Sequence, residues 1–558
     1  MENMAFLANA SNLVTYLAEF MHLSPSASAT TVTNFMGTAF LLALLGGFLS
    51  DAVFTTYHIY LISALLEFLG LVILTVPAKS PTLKPPACRI SAASHAPCQD
   101  VSGGKAAILF AGLYLTALGV GGVKGSLPAH GAEQFDDNTA RGRKARSTFF
   151  NYFVFCLSCG GLVAVTLVVW VEDNKGWQWG FGISTLTILL SVPVFLAGSA
   201  TYRNKIPTRS PLTTIAKVVH FKLAQAATSW ESTNSALFYQ VLVAAILNRR
   251  CRHNPSNAVI DMAPSPVKTV EVDAKEEERD DEGPNAELKC LNRAVEGKPM
   301  HGELLCTAKE VEDVKVVIRV LPIFLSTIML SCCLAQLSTF SIQQATTMNT
   351  RVGGLTVPPA SLPVFPVVFI MLLAPLYDHA IDPFARRVTG SETDISHLQR
   401  IGFGLALSIV AMAVAALVEA KRKRVARATG LLDSAEPLPI SFFWLALQYL
   451  FLGSADLFTL AGSLEFFFSE APAGMRSLAT SLSWASLAMG YYLSSLLVAV
   501  VNDVTGRGNR QAWMAGSSLN HYHLERFYWL MSALSSFNFL HFLFWANRYR
   551  YRSTGSKL

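Results

Sequence analysis

Apolar runs of about 20 residues, long enough to cross a bilayer as helices, recur along nearly the whole chain between polar breaks. The first, Met1 to Phe20, reads as the last part of an apolar helix whose leading half is missing. It carries neither the basic start nor the cleavage site of a signal peptide. The pattern then predicts helices over 33–54, 57–76, 105–125, 148–171 and 179–202. After a long connection it predicts six more, over 315–340, 362–381, 400–418, 440–462, 475–500 and 525–547. Within the connection, 211–247 mixes apolar and polar residues as an interfacial amphipathic helix does. Val272 to Glu282 is too charged to bury a core and is expected to be disordered, a plain solvated linker.

The expected fold is therefore an all-α membrane protein of two six-helix bundles, the first helix incomplete. Residues 1–202 form the N-terminal bundle, 203–314 a cytosolic linker, 315–547 the C-terminal bundle and 548–558 a cytosolic tail.

Composition agrees. The 558 residues are 52% hydrophobic and 15% charged, which excludes an ordinary soluble protein. The net charge of +6 lies in loops rather than in a basic stripe interleaved with aromatics, so no nucleic acid partner is expected. No leftover segment is large enough for a soluble catalytic domain, and no nucleophile–base pair or metal cluster stands out, so neither an enzyme nor a cofactor is expected. The nine cysteines lack metal-ligand spacing. Cys156, Cys159, Cys332 and Cys333 read as packing residues. Cys88 and Cys98 flank a polar loop and could pair if that loop is extracytosolic.

Loop charge gives the orientation. Arg141, Arg143, Lys144 and Arg146, the loop after the sixth helix, Arg386 and Arg387, and Arg548, Arg550 and Arg552 all fall on one side. Both ends and the linker are thus expected in the cytosol. Lys421 to Arg424 and Arg427, placed after the ninth helix, would fall outside and disagree.

Two such bundles suit a transporter with its substrate site at the bilayer midplane, so ionisable groups within apolar runs are the candidate machinery. Lys124 lies at or just inside the end of the fourth helix, in Gly119 to Asp136, GVGGVKGSLPAHGAEQFD. A lysine at membrane depth costs about 2.5 kcal/mol or more and needs a partner, water or a function. Gly119, Gly121, Gly122 and Gly125 bare one face, for close helix packing or for a ligand. Glu465 and Glu2 are the other candidates. A lysine in one half and a glutamate in the other can pair in one conformation and part in another. That exchange alters proton affinity, as a proton-driven carrier requires. Glu67 and Asp456 read as charges satisfied locally, and His130 as a loop histidine. The tract Val311 to Lys315, VEDVK, could bridge the halves or form a solvated face. Asp51, ending GGFLSD, fits a turn that lets two helices slide past one another.

Taken in order, GGFLSD (46–51), GVGGVKGSLPAHGAEQFD (119–136), STFFNYFVF (147–155), VEDVK before LPIF (311–324), AQLSTFSIQQATTMN (335–349) and LEFFFSEAPAGMRSLATSLSW (464–484) span almost the entire chain. Together they resemble the proton-coupled oligopeptide transporter family of the major facilitator superfamily, in its plant nitrate transporter 1/peptide transporter branch. NASNLVTYL, LQYLFLGSADLFTLAGSLEFFF and the C-terminal WANRYRYRSTGS resemble the fourth subfamily, whose members are similar to abscisic acid importers, some also described as low-affinity nitrate transporters.

The resemblance implies proton-coupled uptake of a small anion at the plasma membrane by alternating access. Lys124 matches the family's fourth-helix lysine and Glu465 its tenth-helix glutamate, which faces the substrate. In the family's first-helix pattern E-x-x-E-R/K, Glu2 would be the second glutamate, Asn3 stands for the basic residue, and the first glutamate precedes the chain. Leu334 occupies the position of the histidine that nitrate-binding members carry before Ala-Gln, here Ala335-Gln336. Leu334 and Gln336 are expected in the cavity lining, and an apolar side chain at 334 favours an amphipathic organic acid over nitrate. Ile59 aligns with the threonine that tunes affinity in the dual-affinity nitrate member, so that phosphorylation switch is not expected. The leading expectation is a proton-coupled importer of abscisic acid. A nitrate transporter of the same fold, a ligand-binding membrane sensor and an inactive truncated product are the other readings.

Overall fold

The computed structural model describes residues 1–80, 101–203, 308–381, 396–507 and 512–549, apart from 24, 102, 137, 354, 358, 433–435 and 515–518, together with 83, 383, 387 and 551. The amphipathic segment 211–247, the acidic run 272–282, Cys88, Cys98, Arg386, Arg550 and Arg552 lie outside the described residues.

Helix α1 is Glu2–Thr15, prolonged by a π-helical turn Tyr16–Phe20, and α2 is Pro25–Ala52. Helix α3, Thr56–Lys79, begins where Thr55 accepts the His58 amide, and α4 is Gly103–Ala132. Thr139 caps α5, Ala140–Val163, which passes through a π turn into α6, Val169–Lys175. Each cap answers an amide that has no partner in the first turn. Helix α7 is Trp177–Ala197. The C-terminal half has α8, Ala308–Ala335, the short α9, Phe340–Thr346, and α10, Val364–Leu376, with a π turn Tyr377–Ile381. Helix α11, His397–Ala428, starts with a reciprocal Ser396–Gln399 capping box. Helices α12, Phe443–Glu470, α13, Arg476–Gly506, and α14, Leu524–Arg548, complete the chain. Short strands β1, Met348–Asn349, and β4, Leu438–Ser441, pair in parallel, and β2, Arg351–Val352, and β3, Leu355–Thr356, pair antiparallel.

Eleven helical segments among the described residues are long and apolar enough to cross a membrane. Most of the described residues, within 1–203, 322–469 and 475–547, form one compact unit; the described residues of 308–321, 470–474 and 548–551 belong to a second, in which Tyr549 donates to Glu470 at 2.8 Å. Lys315 and the rest of VEDVK are in the first turns of α8.

The glycines around Lys124 serve close packing. A Cβ at Gly119 would come within 2.4 Å of the Glu67 amide on α3, and one at Gly125 within 2.3 Å of the Ala43 carbonyl on α2. At Gly46 a Cβ would approach the Gly122 Cα to 2.7 Å. Helix α4 is thus pressed against α2 and α3 with backbone almost touching backbone, the arrangement small residues permit in membranes.

Two expectations change here. His130 is a buried helical residue, not a loop histidine: α4 runs to Ala132, and His130 Nδ1 lies 3.0 Å from Thr56 Oγ1. The ninth predicted helix does not stop at 418. Helix α11 carries the basic run Lys421–Arg427 inside it, because the fold supplies partners for those charges.

Candidate functional site

Lys124 sits inside α4, two turns short of its end, and is 3% exposed. Its ammonium is 3.3 Å from Glu2 Oε1 and donates to Asn3 Oδ1 at 3.2 Å. The Asn3 amide in turn donates to the Leu157 carbonyl on α5 at 2.7 Å. Asn3, which stands for a basic residue, therefore accepts from Lys124 where a cation would repel it. Three rings surround the ammonium, with centroids at 4.7 Å for Trp484, 5.1 Å for Phe6 and 5.9 Å for Phe40. Such rings favour a partly desolvated cation.

This group forms one wall of a cavity of about 190 Å³. A single water needs only about 10–15 Å³ on that measure, so an organic molecule fits. The wall is mainly apolar and is contributed by both halves: Leu7 and Leu157 from one, Leu330, Leu334 and Leu460 from the other. Leu334 is thus in the lining. Gln336 is not; it points to α13, where its amide donates to Ser494 at 2.8 Å and to the Cys332 carbonyl at 3.0 Å.

Behind Lys124 lies Glu67. It is fully buried on α3, within the electrostatic reach of Glu2 and Lys124, and neither carboxylate oxygen has a hydrogen-bond donor among the described residues. The expectation of a locally satisfied charge does not hold for it.

Glu465 belongs to a different cluster. Helix α12 continues past Gly462 to Glu470, so Glu465 is inside the helix, 2% exposed and absent from the cavity wall. It accepts from Ser147 on α5 at 3.0 Å and lies 3.4 Å from His397 Nδ1 and 3.9 Å from Arg400 Nη1 on α11. Arg400 also donates to Asn151 on α5, and Asn151 to Asp378. Its guanidinium stands 4.6 Å from the Tyr377 ring centroid. Lys124 and Glu465 are therefore apart, each held by other partners. Nothing in the sequence joins His397, Arg400 and Asn151 to Glu465, because they come from separate helices.

A third polar contact joins the halves. Asp51, at the end of α2, accepts the amides of Ser477 at 3.2 Å and Leu478 at 2.8 Å in the first turn of α13. A carboxylate placed there answers two orphan amides and the positive end of the helix dipole.

Helices contributed by both halves around a central polar-and-apolar cavity define a transporter of the major facilitator fold. Solved structures agree: a crystal structure titled as an auto-inhibited POT family peptide transporter matches with a TM-score of 0.62 at 18% identity, covering 100% of this chain and 96% of that one. Another, a POT family transporter in complex with 5-aminolevulinic acid, matches with a TM-score of 0.57 at 13% identity, covering 98% and 94%. The chain belongs to the POT family, PTR2, whose family model matches residues 57–514. It is 62% identical over 561 residues to Protein NRT1/PTR FAMILY 4.6 of Arabidopsis thaliana, covering 100% of this chain and 93% of that protein. It is also 57% identical over 558 residues to FAMILY 4.7 of the same plant, covering 99% and 87%. The likeness is to the fourth subfamily, and the chain is a multi-pass membrane transporter rather than an enzyme.

Proposed function

We propose that the protein is a proton-coupled importer of a small organic anion, abscisic acid foremost, acting at the plasma membrane. The observation that supports this reading is Lys124: one buried ammonium in a largely apolar cavity, with Leu334 in the lining at the position where the resemblance places the histidine of nitrate-binding members. A carboxylate-bearing hydrophobe matches that wall, with its acid group at Lys124 and Asn3 and its apolar body against the leucines. Nitrate could use the ammonium but has no apolar body to bury, so it is the weaker substrate.

Proton coupling is assigned to Glu2 and Glu465. When substrate takes up Lys124, Glu2 loses its cationic partner. When Arg400 or His397 leaves Glu465, the same follows there. The contacts of Glu2 with Lys124 at 3.3 Å and of Glu465 with His397 at 3.4 Å are thus ones that transport would break and remake.

The test is uptake of labelled abscisic acid and of nitrate by cells expressing the chain, at acidic and neutral external pH. Acid-stimulated uptake of the hormone is expected, lost in Lys124→Ala and Glu465→Ala although both variants reach the membrane. Normal uptake by either variant removes the mechanism, and nitrate uptake alone removes the substrate.

A further inference from the structure

One carboxylate in the cavity has no place in the scheme above. Asp456 lies in the middle of α12 and lines the same cavity as Lys124. Among the described residues it has neither a hydrogen bond nor an ion pair. It also does not stand alone. Ser463, two turns further along the same face of α12, lines the cavity, as do Ser483 and Trp484 on α13. The Ser463 and Ser483 hydroxyls and the Trp484 indole N–H are buried without a hydrogen-bond partner among the described residues. Leaving such groups unpaired is costly, and here they gather on the wall contributed by the C-terminal half.

The chemistry of the set narrows what completes it. A carboxylate only accepts and an indole N–H only donates, whereas a serine hydroxyl does both. An ammonium ligand would satisfy Asp456 and leave the indole unanswered. A hydroxyl can donate to the carboxylate and accept from the indole or a serine.

We propose that Asp456, with Ser463 and Ser483, forms a second pole of the substrate site that reads a hydroxyl elsewhere on the transported acid. The substrate class is then an apolar monocarboxylic acid bearing a hydroxyl, its carboxylate at Lys124 and its hydroxyl at Asp456. This rests on the organic-acid reading above. Asp456 acts as a specificity determinant, in contrast to the locally satisfied charge that its sequence context suggests.

The experiment compares uptake of abscisic acid, which carries a ring hydroxyl, with uptake of its ring-deoxy analogue, by the full chain in cells. The wild-type protein should show a KM for the deoxy acid at least about tenfold higher, since a site built around a hydroxyl rejects ligands lacking it. In Asp456→Ala that ratio should collapse towards one, while Asp456→Asn, which still accepts, should keep most of it. Equal KM values in the wild type overturn the subsite and leave the organic-acid reading standing; this arm needs no variant. A ratio unchanged in Asp456→Ala overturns it as well. So does an Asp456→Asn variant that keeps the ratio but loses acid stimulation, because the group then carries the proton. Uptake of nitrate with neither acid transported would instead remove the organic-acid reading itself, and the subsite with it.

Discussion

Lys124 and Arg422 are both buried cations in a membrane helix, and they are treated in opposite ways. Arg422, on α11, is completely buried and every arm of its guanidinium is occupied. Glu419 accepts from its Nε at 2.8 Å and its Nη2 at 2.7 Å, and Asn520 and Thr347 accept from Nη1 at 2.6 and 2.9 Å. Glu419 is itself closed off by the Gln344 amide at 2.6 Å. Lys124 has one ion pair, one amide oxygen and three rings, and beyond them a cavity. A charge whose hydrogen bonds are all made holds structure in place; a charge left beside open space can exchange partners. The difference separates scaffold from machinery better than burial does, since both residues are buried.

That contrast can be broken by experiment, and the largest effect belongs to the closed network. Arg422→Ala strands the Glu419 carboxylate in the interior, and removing one partner of a buried pair costs about 3–5 kcal/mol. The variant should unfold at markedly lower temperature in detergent and accumulate poorly; a melting curve like that of the wild type would mean the network is not structural. Lys124→Ala, by contrast, should lower the melting temperature less, because the Glu2 side chain it leaves behind is 10% exposed whereas that of Glu419 is 0%, yet it should not transport. Asp51→Asn comes next in size. It keeps the shape but loses the charge that answers the α13 amides, a capping change of about 0.5–2 kcal/mol. Its expected readout is a faster or more frequent opening at that end, measured as increased labelling of a cysteine placed at Ser477; unchanged labelling would show that the contact does not hold the two helices. The smallest effect is at Lys421, whose ammonium stands over the Trp444 ring. Lys421→Ala should shift the melting temperature only slightly, as exposed cation–π contacts are worth about 0.5–1 kcal/mol.

The helices were legible because hydropathy is a local property, and each of the twelve apolar runs overlaps a helix, but several ends were missed: α11 runs to Ala428 where 418 was expected, and α12 to Glu470 where 462 was expected. Charge was harder to read. Five basic residues after position 420 contradicted the loop-charge orientation when they were assumed to lie outside a helix. In the fold Arg422 pairs with Glu419, Lys423 with Glu525 at 3.2 Å, and Lys421 stacks on Trp444. Only Arg424 and Arg427 remain exposed. Residues committed to internal partners carry little topological information, and hydropathy cannot tell them from free ones. Lys124 could be singled out because its apolar surroundings are adjacent in sequence. Trp484, whose ring lies 4.7 Å from the Lys124 ammonium, could not, because 360 residues of chain separate them. Asp456 and Glu67 fall between: their helices were readable, but whether a neighbour satisfies them is decided by other segments.

The glycine contacts of α4 have a mechanical consequence. Where a Cβ would collide with the Gly122 Cα or the Ala43 carbonyl, there is no slack for α2 and α4 to slide. Those two helices carry, respectively, Asp51 and Lys124. Any displacement that a substrate imposes on Lys124 is therefore delivered to Asp51 with little lost in between, and Asp51 is what grips the start of α13. Spin labels on α2 and α4 should keep their spacing when substrate is added, while a pair on α2 and α13 should change theirs. That outcome would mean that stiff coupling, more than any softness in the cavity, carries a ligand's push to the start of α13.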